Sequence, residues 1–157
     1  MAAVRQVSVL FVCTGNICRS PLAEAVARTK AEAAGKFLFV DSAGTGDWHV
    51  GERPDPRSIE VGASRGYDLT GQAARAVEDG DFRRFDYIIA MDAGHQRWLM
   101  NRRAALREPE RSITRLMDWS VGMAGRDVPD PYYGDVSDFE AVLDLVERGV
   151  EGLVARV

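Results

Sequence analysis

The chain has little of what would tie it together through covalent links or metal. Its 157 residues include two cysteines, Cys13 and Cys18, and two histidines, His49 and His95. Two cysteines are too few for a disulfide scaffold, and a pair so close in sequence suggests chemistry in a reducing compartment, the cytoplasm. Cys13 and Cys18 lie near zinc-ligand spacing, but His49 and His95 stand far apart with no paired pattern. No metal and no cofactor is therefore expected, and neither histidine receives a catalytic role. Apolar runs approaching the ~18 residues of a membrane span are also missing. Basic charge is not in excess: 20 Lys and Arg against 24 Asp and Glu leave a net charge of -4. That excludes an overall nucleic-acid footprint and leaves room for a local anion site. Internal repeats and low-complexity tracts are absent too.

What is present suits one globular domain over residues 1–157, with 46% apolar and 28% charged residues. A domain of this size buries about two-thirds of its unfolded surface, enough for a core without staples. The run Val7–Cys13 follows Arg5 as a leader peptide's core would, but it passes straight into Thr14-Gly15-Asn16 without a small-residue cleavage pattern. It reads as a strand covered on both faces. A helix follows, with Ser20 as a capping hydroxyl, Pro21 in the first turn and Gly35 at its end. Leu22, Ala25, Val26, Thr29 and Ala33 form its inward face at helical spacing. Further strands are expected at Phe37–Val40, Tyr87–Met91 and, more weakly, Ser112–Met117. Helices are expected at Pro56–Arg65, from about Gly94 to Asn101, and along Phe139, Val142, Leu143, Val146, Val150, Leu153 and Val154. Strands alternating with helices predict an α/β fold, an open parallel sheet with helices on both faces. The polar stretch from Ser120 to Ser137 is too long for an idle connection and reads as a functional loop.

Cys13-Thr14-Gly15-Asn16-Ile17-Cys18-Arg19-Ser20 joins the first strand to the first helix. A loop feeding a helix N-terminus aims successive N–H groups at a common point and makes a nest for an oxyanion. Gly15 and Asn16 tolerate the left-handed backbone a nest needs. Arg19 adds a planar fork that matches two phosphate oxygens, and the combined field favours the thiolate of Cys13. Cysteine, five residues, then arginine is a weak pattern alone; the whole octapeptide between strand and helix is specific. The plainer reading makes Cys13 a small buried apolar residue and Arg19 a surface charge.

With Asp130-Pro131-Tyr132-Tyr133-Gly134-Asp135, this loop closely resembles the low-molecular-weight protein tyrosine phosphatases. Asp41-Ser42-Ala43-Gly44-Thr45 and Pro54-Asp55-Pro56-Arg57 match as well, in the family's order and spacing. The resemblance implies a single phosphatase domain with a four-stranded parallel sheet. It implies hydrolysis of phosphotyrosine, an aryl phosphate monoester, on a protein partner through a cysteinyl-phosphate, releasing inorganic phosphate. Cys13 would attack phosphorus while Arg19 and the loop from Thr14 through Gly15, Asn16 and Ile17 to Cys18 bind the other oxygens. Asp130, by itself as readily a turn residue, would protonate the leaving phenolate and then activate water. Ser20 would donate to the thiolate, Asn16 and Ser42 would brace the loop, and Asp92 would be structural. Trp48, Tyr132 and, more weakly, Tyr133 would wall a slot for the phenyl ring.

Gln72 departs from the histidine that many relatives use to support the loop. A phosphoarginine branch carries threonine where Ile17 stands, which favours tyrosine here. One class of arsenate reductases shares the fold and the loop but needs two further cysteines, and this chain has none after Cys18. A binding module without catalysis is disfavoured because nucleophile, arginine and acid candidates are all present. Cys18, close to a readily oxidised thiolate, is expected to make Cys13 redox-sensitive through a disulfide.

Overall fold

Alternation along the first strand decides the layering. In the computed structural model, which describes residues 6–109 and 112–157, β1 spans Val7–Cys13 and buries both of its faces. Val9, Phe11 and Cys13 join a core with Leu22, Val26, Phe139 and Val146. Leu10 and Val12 join a second core with Phe82, Phe85, Ile88 and Leu99 on the other side. Each such large side chain contributes about 1.5–3 kcal/mol when fully buried, so a continuous apolar run is what a covered central strand requires.

The sheet is parallel throughout, in the order β2-β1-β3-β4, with β2 at Leu38–Gly44, β3 at Tyr87–Ala90 and β4 at Ser112–Arg115. Helices α1 (Arg19–Ala33) and α5 (Val136–Arg156) pack on one face. The one-turn α3 (Asp81–Arg84) and α4 (Ala93–Ala105) cover the other, and α2 (Pro56–Ser64) lies against α1 and α5. The order places β1 beside β3, and the crossovers from β1 to β2 and from β3 to β4 run in opposite directions, so a crevice opens at the carboxyl ends of β1 and β3. Cys13 stands at the carboxyl end of β1. No helix among the described residues is long and apolar enough to cross a membrane.

Several expected boundaries move. Strand β2 runs on through Asp41 and Ser42 to Gly44, because the ladder to β1 continues and Arg75 pairs with Asp41 at 3.0 Å. The fourth strand stops at Arg115, and Leu116–Trp119 coil into a 3₁₀ turn that buries Leu116 and Met117. On α1, Thr29 and Ala33 are exposed, and Ala23, Ala27 and Ala31 are buried instead. Ser20 does not cap α1: the helix begins at Arg19, and the hydroxyl is used elsewhere. Helix α4 starts at Ala93 because Asp92 caps it, accepting from the His95 amide at 2.9 Å.

Candidate active site

The loop from Cys13 to Ser20 has its carbonyls tied outward. Thr45 N donates to Cys13 O at 2.9 Å, Gly46 N to Thr14 O at 3.0 Å and Asp55 N to Ile17 O at 2.7 Å. The Ser58 hydroxyl donates to Cys18 O at 3.2 Å. In a trans peptide the next N–H points opposite its carbonyl, so these bonds aim the amides of Thr14, Gly15, Cys18 and Arg19 the other way. Asn16 takes the left-handed backbone, with φ of 58°. Gly15 does not, contrary to expectation; space matters there, since a Cβ would come 2.9 Å from His49 Cδ2. Gly44 is required for close approach, because a Cβ would lie 2.6 Å from Thr14 O.

Asn16 is the hub beneath Cys13. Its Nδ2 donates to Ser20 Oγ at 2.8 Å and to Ser42 Oγ at 3.0 Å, while its Oδ1 accepts from Arg75 N at 3.0 Å. The Arg75 bond fixes which way the amide faces. Both hydroxyls are then left to donate away from Asn16. Ser20 Oγ lies 3.0 Å from Cys13 Sγ, and Ser42 Oγ donates to Glu24 Oε1 at 2.6 Å. All five side chains on this path from Cys13 to Glu24 are buried. Burial raises the Glu24 pKa, against hydrogen bonding from Ser42 and the charge of Arg28. Glu24 was not picked out in the sequence, although an acid amid Pro21-Leu22-Ala23 and Ala25-Val26-Ala27 was the available signal. Gln72 braces a neighbouring point, donating through Nε2 to Pro21 O at 3.0 Å.

Arg19 is buried and locked. Its Nη1 donates to Asp92 Oδ2 at 3.0 Å and Val128 O at 2.9 Å, and its Nη2 reaches Thr14 Oγ1 at 3.5 Å. Burial opposes ionisation of Asp92, but the His95 amide and the charge of Arg19 outweigh it and lower the pKa. Asp92 thus caps α4 and also fixes the orientation of the Arg19 guanidinium. His95 Nε2 meets Thr14 Oγ1 at 2.7 Å, a support the sequence reading did not assign.

Burial first, and then the positive charge of Arg19, push the His95 pKa down to about 4, against the carboxylates of Asp92, Asp130 and Asp127. The unfolded chain takes up this proton near 6.5 and the folded one near 4, so between them the unfolded state binds more protons. Stability contributed by neutral His95 should fall as pH drops through that window and level off below it. The whole effect is on the order of 3 kcal/mol. Urea unfolding at several pH values should show a smaller loss across the window in His95→Gln than in the parent. Equal losses would assign the pH dependence to other groups.

The loop sits in a pocket of about 270 Å³ lined by Cys13, Thr14, Gly15, Ile17, Cys18 and Arg19, with Trp48, His49, Asp130, Tyr132 and Tyr133 above. Every sequence-predicted residue except Asn16, Ser20 and Ser42 therefore lines it, and those three lie beneath in the hydrogen-bonded path. Trp48 is 71% exposed, and the rings of Tyr132 and Tyr133 meet edge to face at 5.0 Å. His49, its Nδ1 against Glu52 Oε2 at 2.5 Å, joins the lining without having been expected there. Burial, with the charges of Asp55, Cys13 and Asp130, pushes the Cys18 thiol up to about 12. Both cysteines are free, and no metal-holding cluster occurs among the described residues.

Fold and pocket define a class: an open parallel α/β protein with a cysteine-bearing anion loop at the switch point of its sheet. Comparison with known proteins narrows it. A family model described as low molecular weight phosphotyrosine protein phosphatase matches residues 8–157. A low molecular weight protein-tyrosine-phosphatase of Streptomyces coelicolor is 49% identical over 154 residues, covering 95% of this chain and 92% of its own. Among solved structures, YfkJ of Bacillus subtilis superposes with a TM-score of 0.89 at 41% identity, covering 98% of this chain and 96% of its own. A structure of the YwlE arginine phosphatase gives 0.85 at 26% identity, covering 96% and 95%. The chain belongs to the low molecular weight phosphotyrosine protein phosphatase family, and is a hydrolase of that kind.

Proposed function

We propose that residues 1–157 act as one phosphatase domain in the cytoplasm, hydrolysing phosphotyrosine on protein substrates through a cysteinyl-phosphate intermediate. The observation that carries this reading is the composition of one pocket: Cys13 and Arg19 at its floor, Asp130 at its side and aromatic rings at its mouth. The Cys13 thiolate attacks phosphorus in line, and the loop amides with Arg19 bind the equatorial oxygens, where charge spreads in the transition state. Asp130 gives its proton to the phenolate oxygen as the P–O bond breaks. It then takes a proton from the water that attacks the cysteinyl-phosphate, and Ser20 donates to the departing thiolate. Inorganic phosphate leaves, and no metal or cofactor enters the scheme.

Trp48 and Tyr132 at the pocket support an aryl substrate, with Tyr133 adding to the wall. Each ring contact with a phenyl group adds about 0.5–1.5 kcal/mol, and the depth favours an aryl stem over the short one of phosphoserine. Ile17 offers no hydroxyl for a phosphoarginine guanidinium. In matched peptides, phosphotyrosine should lead phosphoserine and phosphoarginine in kcat/KM by at least about tenfold, or ~1.4 kcal/mol. It should also lose most in Trp48→Ala; a phosphoarginine preference, or indifference to that change, would overturn the substrate reading.

Cys18, a second free thiol lining the same pocket as Cys13, supports a second property. Peroxide oxidises Cys13 to a sulfenic acid, and Cys18 condenses with it to a disulfide with loss of water. Peroxide-inactivated enzyme should recover with dithiol, and Cys18→Ser should recover much less. Equal recovery would remove Cys18 from the process.

A further inference from the structure

The segment Pro54-Asp55-Pro56-Arg57 takes no part in the chemistry above, yet its arginine reaches the loop that bears Asp130. Arg57 Nη2 donates to Tyr132 O at 2.9 Å, and Nη1 donates to Gly134 O at 2.8 Å. The other edge of the guanidinium is held by Asp55, with Nε on Oδ1 at 3.0 Å and Nη2 on Oδ2 at 2.9 Å. Its face lies 4.4 Å from the ring centroid of Phe139. Asp55 N in turn donates to Ile17 O, in the phosphate loop. A continuous path therefore runs from that loop through Asp55 and Arg57 to two carbonyls just past Asp130.

The segment before Asp130 is anchored separately. Val128 N donates to Met91 O at 2.9 Å, and Val128 O accepts from Arg19. Between the anchors lies Pro129-Asp130-Pro131. The Asp130 side chain is 52% exposed; Oδ1 accepts from Tyr132 N at 3.1 Å, and Oδ2 stands 3.9 Å from Arg19 Nη2. Such a carboxyl takes its place mainly from the backbone that carries it. Two anchors set that backbone, and Arg57 makes one of them.

We propose that Arg57 is a positioning residue: by gripping the Tyr132 and Gly134 carbonyls it sets the reach of Asp130 to the leaving-group oxygen. This rests on the reading of Asp130 as the acid. The role needs a planar fork, since four of the guanidinium's donor contacts point to fixed acceptors on two segments. A lysine ammonium cannot span them. The alternative is that Arg57 only stabilises the start of α2 through Asp55.

The test is kcat/KM for aryl phosphates running from good to poor leaving groups, in the parent, Arg57→Ala, Arg57→Lys, Asp130→Ala and the Arg57→Ala/Asp130→Ala double variant. Misplacing the acid should cost Arg57→Ala about tenfold to a hundredfold on phenyl phosphate and no more than about threefold on the most activated ester, steepening the dependence. Arg57→Lys should fall between parent and Arg57→Ala, and it carries the comparison if Arg57→Ala does not fold. In the Asp130→Ala background, Arg57→Ala should add no more than about twofold, since it acts through that carboxyl. A uniform loss across leaving groups, or a full additional loss in the double variant, would reduce Arg57 to a structural role while leaving the acid intact. If Asp130→Ala itself leaves the dependence unchanged, the acid reading falls, and the tether falls with it.

Discussion

Cys13→Ser is expected to abolish turnover, with a loss on the order of 10⁶ in kcat, the scale seen when a covalent nucleophile is removed. The side chain is buried, and its sulfur faces the Ser20 hydroxyl at 3.0 Å. Serine keeps almost the same shape, so the loop's outward-tied carbonyls and the Arg19 lock should remain. A serine hydroxyl, however, does not ionise appreciably near neutral pH and is a far weaker nucleophile than a cysteine thiolate. Binding and chemistry should therefore separate. Calorimetry should still detect inorganic phosphate in the variant, while aryl phosphate hydrolysis disappears. Acid quenching during turnover should leave phosphate on Cys13 in the parent and none in the variant. Residual turnover above about one part in a thousand would mean that another group attacks phosphorus.

Arg19→Lys should cost about 10³-fold in kcat or more, within the range for a cation that stabilises a transferring phosphoryl group. Charge is conserved in this change; the fork is not. Nη1 is committed to Asp92 and Val128 O, leaving the other edge, near Thr14 and Asp130, to face the pocket. An ammonium cannot hold those partners and still present two donors to a phosphoryl group. The loss should appear mainly in kcat, because charge develops on the equatorial oxygens as the transition state forms. Arg19→Ala should lose at least as much activity and also stability, since Asp92 would keep its half-buried charge without its partner at 3.0 Å. Steady-state kinetics alongside urea unfolding would separate the two costs. A Lys variant within tenfold of the parent would show that charge alone suffices.

Much of this was legible in one dimension, and for local reasons. The apolar run of β1, the octapeptide that follows it and the helical spacing in α5 are consecutive or nearly so, and short-range sterics and burial act on consecutive residues. The errors were local as well. The apolar pattern ends β2 at Val40 and Ser42 reads as a turn residue, whereas the ladder to β1 and Arg75, 34 positions after Asp41 in the chain, keep Asp41 in the sheet. The single turn of α3 is too short to show a helical period.

The sequence by itself determined that β1 is buried on both faces, that a thiol and a guanidinium share one loop, and that this loop lies between a strand and a helix. Backbone preferences and hydrophobic periodicity are enough for those outcomes, since both act over a few residues. Only the tertiary structure decided what holds the loop in working order. Asp92 meets Arg19 across 73 positions, His95 meets Thr14 across 81, and Arg57 meets Tyr132 across 75. Each of these polar groups is ordinary in its own stretch of chain. They converge because a parallel sheet carries its connections back across a face and returns every strand's carboxyl end to the same edge. Once buried there, a polar group must find a partner, and the partners within reach are those the topology brings to that edge.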